Sequence, residues 1–494
     1  MSWTSRGKRW TYLTHRWLGI GGCVLMLLWF LSGMVMLFIG YPKLTPQERL
    51  AATPPLPQDA PLAGLDALPA ALRAEPERVV LRMLDGQPAY VVRSAPQAGA
   101  WSARDGQPLP AVDAAAATRA AEAFAGAPAR GVPEMLQEDR WTHSGALDPH
   151  RPLYRVEVGG AQPASLYVSS HSGEVVLDAP HAQQRWNYVG AWLHWVYMVR
   201  MQPRDPVWSW TVIVLSALCS VAAFSGVLAG IWRWRFRGRY RSGAKTPYTE
   251  PWMRWHHLIG LMASGLVCTW IFSGLMSMNP VGVFSSNRAA VALQAYRGAV
   301  PSLDTPLARP DAVLQALARA PFVPVELQWR RVGGTLLALA FDAQGDSRVV
   351  QAQGAQLQVT RLLAPAHLAA SARHLVDAPL RASSVIVRAD AYYYGRAPEA
   401  MNGAASRRLP ALRLAFADAD HTQTYIELAS GDPVLVIGQR ERIGRWLFNF
   451  LHSWDLPPML AVPWLRQAVL LLLSLGGLAL CSTALVIGWR RLRR

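Results

Sequence analysis

The sequence predicts an α-helical membrane protein: four transmembrane helices arranged as a duplicated two-helix unit, with two α+β domains outside the bilayer. Three observations lead there. Four stretches, 17–39, 207–232, 258–278 and 468–489, carry no charged side chain, and each is near the ~20 residues needed to cross hydrocarbon. Basic residues crowd beside those stretches. The second half of the chain repeats short motifs of the first in the same order. Of the 494 residues, 51% are apolar and only 16% are charged, well below the ~25% charged residues of an ordinary soluble protein. This composition excludes a disordered tail, a collagen and a small disulfide scaffold, and it argues against a fully soluble enzyme.

Residues 1–16 form a basic N-terminus, with Arg6, Lys8, Arg9 and Arg16 and no acid. The first span occupies 17–40. It is longer than a signal-peptide apolar core, and Gly40-Tyr41-Pro42-Lys43 offers no small-residue cleavage site, so it reads as an uncleaved anchor. A first outer domain with an interfacial histidine segment follows at 41–206, and the second span at 207–232. The loop 233–256 holds Arg233, Arg235, Arg237, Arg239, Arg241, Lys245 and Arg254 against Glu250 alone. The third span is 257–279, the second outer domain with its own histidine segment is 280–466, and the fourth span is 467–489. The tail 490–494 carries Arg490, Arg491, Arg493 and Arg494. Only helix satisfies backbone groups in lipid. Four crossings put all three basic segments on one side, which makes that side cytoplasmic. The net charge of +17 therefore follows topology, and no nucleic-acid partner is expected.

Alternating runs at 152–158 and 164–168 predict antiparallel strands, and Ser172-Gly173 and Ser430-Gly431 predict turns. The Ala-rich run 114–125 predicts a helix, capped by Asp113 and stopped by Gly126 and Pro128. A second helix is expected over 364–377, and a poorly structured Pro/Ala-rich approach over 51–70. Cys23, Cys219, Cys268 and Cys481 each fall in a different span and read as small packing residues.

The repeat aligns His15-Arg-Trp-Leu-Gly19 with His256-His-Leu-Ile-Gly260, and Ser32-Gly33 with Ser273-Gly274. Gly19 to Gly33 and Gly260 to Gly274 are both 14 residues. Further on, Trp192-Leu-His-Trp195 matches Phe450-Leu-His-Ser453, and Gly230-Ile-Trp-Arg233 matches Ile487-Gly-Trp-Arg490. His15 thus corresponds to His256, and His194 to His452. Both units start on the same side, so the pseudo-twofold axis runs along the membrane normal.

Ionisable residues at a bilayer are functional candidates. His15 and His256 stand at the inner ends of spans one and three, His194 and His452 at the outer ends before spans two and four. Each pair can meet across the axis, and two facing imidazoles can hold a b-type haem. About 30 Å of hydrocarbon separates the two levels, so two haems are implied, with His15, His256, His194 and His452 as cofactor-binding and metal-ligating residues. His257 is a rival to His256, since neighbours on a helix cannot both face inward. Trp17, Trp29, Trp255 and Trp270 lie near the inner sites or along their helices. Trp186, Trp192, Trp195, Trp446 and Trp454 surround the outer ones. Gly19, Gly21, Gly22, Gly33, Gly260, Gly265 and Gly274 leave room for a macrocycle or for close helix contact. Arg16, Arg185, Arg442 and Arg445 can pair with propionates. The competing account is plain: interfacial His and Trp also anchor a helix at the membrane surface.

His15-Arg-Trp-Leu-Gly19 opening a span, Tyr167 to Val175, and Leu451-His452 before a span ending in Trp489-Arg-Arg491 resemble the PepSY-associated transmembrane family over nearly the whole chain. The resemblance implies two PepSY-like periplasmic domains on a bacterial inner-membrane protein. The family in turn resembles, in part, the inner-membrane ferric-siderophore reductases. That likeness implies an oxidoreductase-type electron-transfer protein with two haem b groups. It would reduce a ferric siderophore or other Fe3+ chelate outside the membrane. Ser453-Trp454-Asp455 after His452, and Trp195-Val196-Tyr197 after His194, depart from the small residues usual in the family. No G-x-G-x-x-G fingerprint follows an expected strand, so the resemblance leaves a quinol or a separate cytosolic reductase as donor. Tyr393, Tyr394 and Arg396 are candidate contacts for an anionic or catechol chelate. The alternative is non-enzymatic: a membrane-anchored PepSY module that binds a peptide or protease.

Overall fold

The computed structural model describes residues 3–58, 60–92, 98–200, 205–285, 291–300, 302–354, 356–398, 400 and 407–494. Its contacts divide the chain into two units, 1–40 with 185–286 and 439–494, and 41–184 with 287–438.

The first unit is built on four helices long and apolar enough to cross a membrane: α1 (Trp3–Met36), α2 (Pro206–Arg233), α3 (Pro251–Ser277) and α4 (Pro463–Leu492). Local chemistry sets their starts. Asp205 accepts from Trp208 N at 3.1 Å and Glu250 from Met253 N at 2.7 Å, with prolines in the first turns where no amide is needed. α1 begins well before the expected span, so the basic N-terminal segment is helical from Trp3 onward. α1 packs against α2 and α4, and α3 packs against the same two, so α1 and α3 face each other across the bundle. Met26, Phe30, Cys219, Val267, Ile271 and Cys481 fill the middle. Close approach there needs glycine: a Cβ on Gly22 would stand 3.0 Å from Cys219 Sγ, and one on Gly477 would run into the Phe30 ring. All four cysteines are buried thiols, as their packing role requires.

Ahead of α2 and of α4 the chain makes the same detour. Helix His181–Asn187 passes into a π turn at Tyr188–Trp192, and helix Gln439–Arg445 into another at Trp446–Phe450. Val196 (φ 54°) and Trp454 (φ 52°) then take the left-handed conformation and end the segments. That conformation is costly for a β-branched or aromatic residue.

The second unit is α+β, with three separate sheets. Strands Ala129–Leu136, Leu153–Val158, Ala164–Ser169 and Val175–Pro180 form an antiparallel sheet. Helix Ala114–Ala125 packs on it through Ala117 and Ala121. As expected, the Asp113 carboxylate caps Ala116 N at 2.7 Å, and Gly126 (φ 59°) closes the helix. A second four-stranded sheet runs Leu380–Ile386, Ala411–Phe416, Gln423–Glu427, Pro433–Ile437. Its helix, Pro365–Ala372, is shorter than the 364–377 expected, because Arg373 already leaves the helix and turns follow.

The third sheet lay outside the sequence reading. Its order is Gln356–Thr360, Ser347–Gln353, Thr335–Phe341, Glu326–Val332, Val79–Leu84, Gln87–Val92, Gly99–Ser102. The two long inter-helix segments therefore share one sheet, joined where Val80, Leu81 and Arg82 pair with Gln328, Leu327 and Glu326. Leu81, Tyr90, Leu327 and Trp329 are fully buried at the join. The approach 51–70 is also more ordered than expected. Leu56, Leu62, Leu65 and Leu68 enter that core, since four spaced leucines outweigh the Pro/Ala background.

A buried ion pair ties the same two segments. Arg331 donates from Nε and Nη2 to Glu77 at 3.0 and 2.9 Å, and the two side chains are only 2% and 4% exposed. Burial alone would raise the Glu77 pKa. Bonds from Arg331 and the Arg297 and Arg331 charges more than offset this and hold the carboxyl below its ordinary value. With the folded-state pKa depressed, the contribution is complete above the ordinary carboxylate value and is lost as pH falls from there through the lower folded-state value. Arg331→Met removes two charge-assisted bonds and leaves the buried carboxylate to Arg297 at 3.2 Å, which should cost about 1.5–3 kcal/mol, and adding Glu77→Met should restore most of it. Thermal unfolding of the detergent-solubilised chain at neutral pH measures both; an unchanged midpoint in the single variant would refute the tie.

Candidate functional site

The expected histidine pairs are brought together. His15 in α1 and His256 in α3 have ring centroids 6.1 Å apart, with the planes at 30°. His194 and His452 also have centroids 6.1 Å apart, with the planes at 67°.

Donor accounting fixes the state of each ring. His15 Nδ1 lies 3.0 Å from the Ala222 carbonyl of α2, which can only accept, so Nδ1 carries the proton. His256 Nδ1 lies 3.0 Å from Thr483 Oγ1 in α4, whose own hydroxyl proton goes to Leu480 O at 2.7 Å. That leaves the hydroxyl oxygen to accept from the ring. His194 Nδ1 meets Ser32 Oγ at 3.0 Å, and Ser32 donates to Leu28 O at 2.7 Å. His452 Nδ1 meets Ser273 Oγ at 3.0 Å, and Ser273 donates to Trp270 O at 3.1 Å. All four rings are therefore Nδ1–H tautomers with a lone pair on Nε2. Neither nitrogen choice nor ring orientation is left to chance, which is the arrangement a metal-binding imidazole needs.

The rival to His256 is resolved by the same accounting. His257 Nε2 lies 2.9 Å from Gly230 O and must donate to it. Its Nδ1, 2.7 Å from Thr246 Oγ1, then accepts the Thr246 hydroxyl. Both nitrogens are engaged and the residue is buried. It fastens the 233–250 loop to the bundle, and it is His256 that faces His15.

The glycines divide by role. Cβ atoms on Gly33 and Gly274 would sit 3.6 Å from His194 Cε1 and 3.7 Å from His452 Cε1. Gly260 lies against Leu480, whereas Gly19, Gly21 and Gly265 face open space. Gly226, which sequence reasoning missed, is the tightest against a paired histidine: its Cβ would stand 2.5 Å from His15 Cε1. In the repeat register it occupies the place of Thr483. His15 thus seats directly on the helix backbone, while a hydroxyl fills the gap at His256. Ser32, Ser273 and Thr483 were also missed as functional residues. The signal for the serines was present, because Ser32-Gly33 and Ser273-Gly274 fall inside the repeated block.

Aromatic residues separate likewise. Trp29 Nε1 donates to His194 O at 2.9 Å, and the Phe448 ring lies 5.3 Å from that of His452. Trp17, Trp186 and Trp255 are more than half exposed and serve the outer surface of the bundle. Trp195, Tyr197 and Trp208 form a chain at 5.2 and 5.4 Å, and Trp208 Nε1 donates to Trp195 O at 2.7 Å. Asp455 is fully buried and pairs with Arg466 at 3.2 Å. Arg445, expected near a propionate, is buried with its guanidinium donating to Asp455 O and lying over Trp446. Arg16 and Arg185 are exposed.

Tyr393 is not a surface contact. It is fully buried, stacks on Tyr425 at 5.1 Å and bonds Arg408 O at 2.7 Å, so the expectation that it touches a chelate is withdrawn. Three further histidines have structural partners: His181 pairs with Glu157 at 2.8 Å, His143 with Glu138, and His171 bonds Arg151 O at 2.8 Å.

These features define a polytopic membrane protein with paired imidazoles in its helical bundle and a β-rich unit built from its two long inter-helix segments. The chain belongs to the PepSY-associated TM region family, whose model matches residues 12–491. Comparison with curated proteins found no match.

Three substitutions test the geometry without reference to any ligand. Gly226→Ala must displace His15 and should lower the thermal midpoint. Gly265→Ala, facing open space, should not. Ser32→Ala leaves the His194 Nδ1–H without its acceptor and should cost about 1–3 kcal/mol, read by thermal unfolding in detergent.

Proposed function

We propose that the chain is an inner-membrane di-haem electron-transfer protein that reduces a ferric chelate of the siderophore class on the periplasmic side. The observation that carries this reading is the pairing of the four rings, each with Nε2 left free to bind, as two couples at one centroid spacing. A first-row metal sits ~2 Å from an imidazole nitrogen, which puts the centroids of two rings sharing it about 6 Å apart. The two centroid separations of 6.1 Å match. Two nitrogens on opposite sides leave the equatorial positions to a macrocycle, and haem b is the group that fits such a donor set. His15 and Ser32 lie 17 residues apart on α1, about 25 Å along a helix, so the pairs serve two centres. The repeated contacts around each histidine, together with the repeated motifs, support a duplicated two-helix unit.

Bound haem supplies one-electron transfer through its iron. The chain's part is to hold each imidazole by its Nδ1–H bond, strengthening Nε2 as a donor, and to keep the space between the levels dry with the Met26, Phe30 and Ile271 cluster. The concentration of arginine and lysine at the His15–His256 end supports placing that end and both termini in the cytoplasm. A quinol or a separate cytosolic reductase would then donate there, one electron per iron reduced. Ferric iron in a chelate suits the outer end, because the ferrous product is held less tightly by hard oxygen donors.

A pyridine haemochrome assay on the purified chain should give two haems per chain. His194→Ala or His452→Ala should remove one, His15→Ala or His256→Ala the other, and His257→Ala neither. A colourless protein from cells with ample haem would overturn the reading and favour a peptide- or protease-binding module. Loss of both haems from one outer substitution in a folded protein would overturn the pairing.

A further inference from the structure

The connection between α2 and α3 carries more structure than a topogenic loop needs. Positive charge alone orients a span, whatever the shape of the loop. Here the backbone closes on itself: Arg235 N bonds Lys245 O at 3.0 Å, Tyr240 N bonds Ala244 O at 2.9 Å, and Gly243 N bonds Tyr240 O at 2.9 Å. Three of the six cations between 233 and 250 serve as internal struts. Arg235 lies 4.2 Å over Tyr240 and donates to Arg239 O at 2.8 Å, Arg239 donates to Gly243 O at 2.9 Å, and Arg233 lies 4.9 Å over Tyr12. Thr246 pins the end of the loop to His257. The remaining three, Arg237, Arg241 and Lys245, are exposed and have no side-chain partner among the described residues. The loop's one acid, Glu250, is engaged by Arg490 at 2.8 Å.

Among these cations stands an exposed aromatic. Phe236 is 69% exposed, three residues past the end of a spanning helix, and Trp232 (40%), Trp252 (38%) and Trp255 (57%) stand on the flanking helix ends. Aromatic side chains at a span terminus mark the headgroup level. An acidic protein docked on the arginines would leave Phe236 in water, whereas a lipid gives both kinds of residue a partner: phosphate for the cations and the acyl boundary for the ring.

We propose that residues 234–246 form a binding site for an anionic phospholipid headgroup, with Arg237, Arg241 and Lys245 on its phosphate and Phe236 in the acyl boundary. The site is independent of the histidine pairs and of the reading placed on them.

Native mass spectrometry of the full chain in detergent, titrated with phosphatidylglycerol or phosphatidylcholine, tests it. The chain should retain phosphatidylglycerol in preference by roughly 10- to 100-fold, as expected of several cations near one anionic headgroup. Joint replacement Arg237→Gln, Arg241→Gln and Lys245→Gln should abolish the preference with an unchanged thermal midpoint, since all three side chains are exposed. Phe236→Ser should weaken retention of both lipids. Thr246→Val keeps every charge but frees the loop, and should reduce the preference too. Equal retention of both lipids by the unaltered chain, or a preference that survives the triple replacement, would overturn the proposal. So would displacement of phosphatidylglycerol by equimolar inorganic phosphate, which would mark a free-anion site instead.

Discussion

The hydrogen bond from Nδ1 of each inward histidine is the constraint around which the helical unit is arranged. An imidazole has two nitrogens and can turn; only an acceptor on one side decides which nitrogen faces the bundle axis. At the level of His15 and His256 that acceptor comes from the neighbouring helix, as a carbonyl in α2 and a hydroxyl in α4. At the other level it comes from serines of α1 and α3 reaching the histidine segments that precede α2 and α4. Each acceptor hydroxyl has already given its own proton to a helix carbonyl, so the direction of every bond is set by the helix backbone. The ring cannot rotate without leaving a buried N–H unpaired, at a cost of about 1–3 kcal/mol.

Much of this was legible in the residues. Uncharged runs and flanking arginines gave the four helices, because lipid imposes length and polarity so strictly. The matched motifs singled out His15, His256, His194 and His452 without any knowledge of their distance. What the sequence could not reveal was which side chain hands a proton to which. Ser32 and Ser273 are ordinary small residues in an apolar run until a histidine from about 160–180 residues away is placed beside them. Gly226 was invisible for the opposite reason: its importance lies in an atom it lacks. The choice between His256 and His257 was open on paper, and rotation about one helix axis closed it.

The β-rich unit was legible by parts and not as a whole. Strand alternation and the Asp113–Gly126 helix followed from local pattern. The pairing of Leu81 with Leu327 did not, because register between distant strands is written in shape complementarity and not in periodicity. For the same reason Tyr393 looked like a surface recognition residue when read in its Tyr-rich run, although it closes a small aromatic core with Tyr425.

The shared sheet bears on how the chain is made. Residues 79–84 and 326–332 belong to one ladder, yet the helical hairpin of α2 and α3 is synthesised between them. Until ribosome and translocon have delivered that hairpin and the polypeptide beyond it, the edge at 79–84 waits with its amides and carbonyls unpaired, an invitation to any passing strand. In that interval the newborn chain carries an open strand edge, the kind of exposed surface from which aggregation starts. Mutations that slow insertion of the hairpin would be felt first as aggregation of a segment far away from them in sequence.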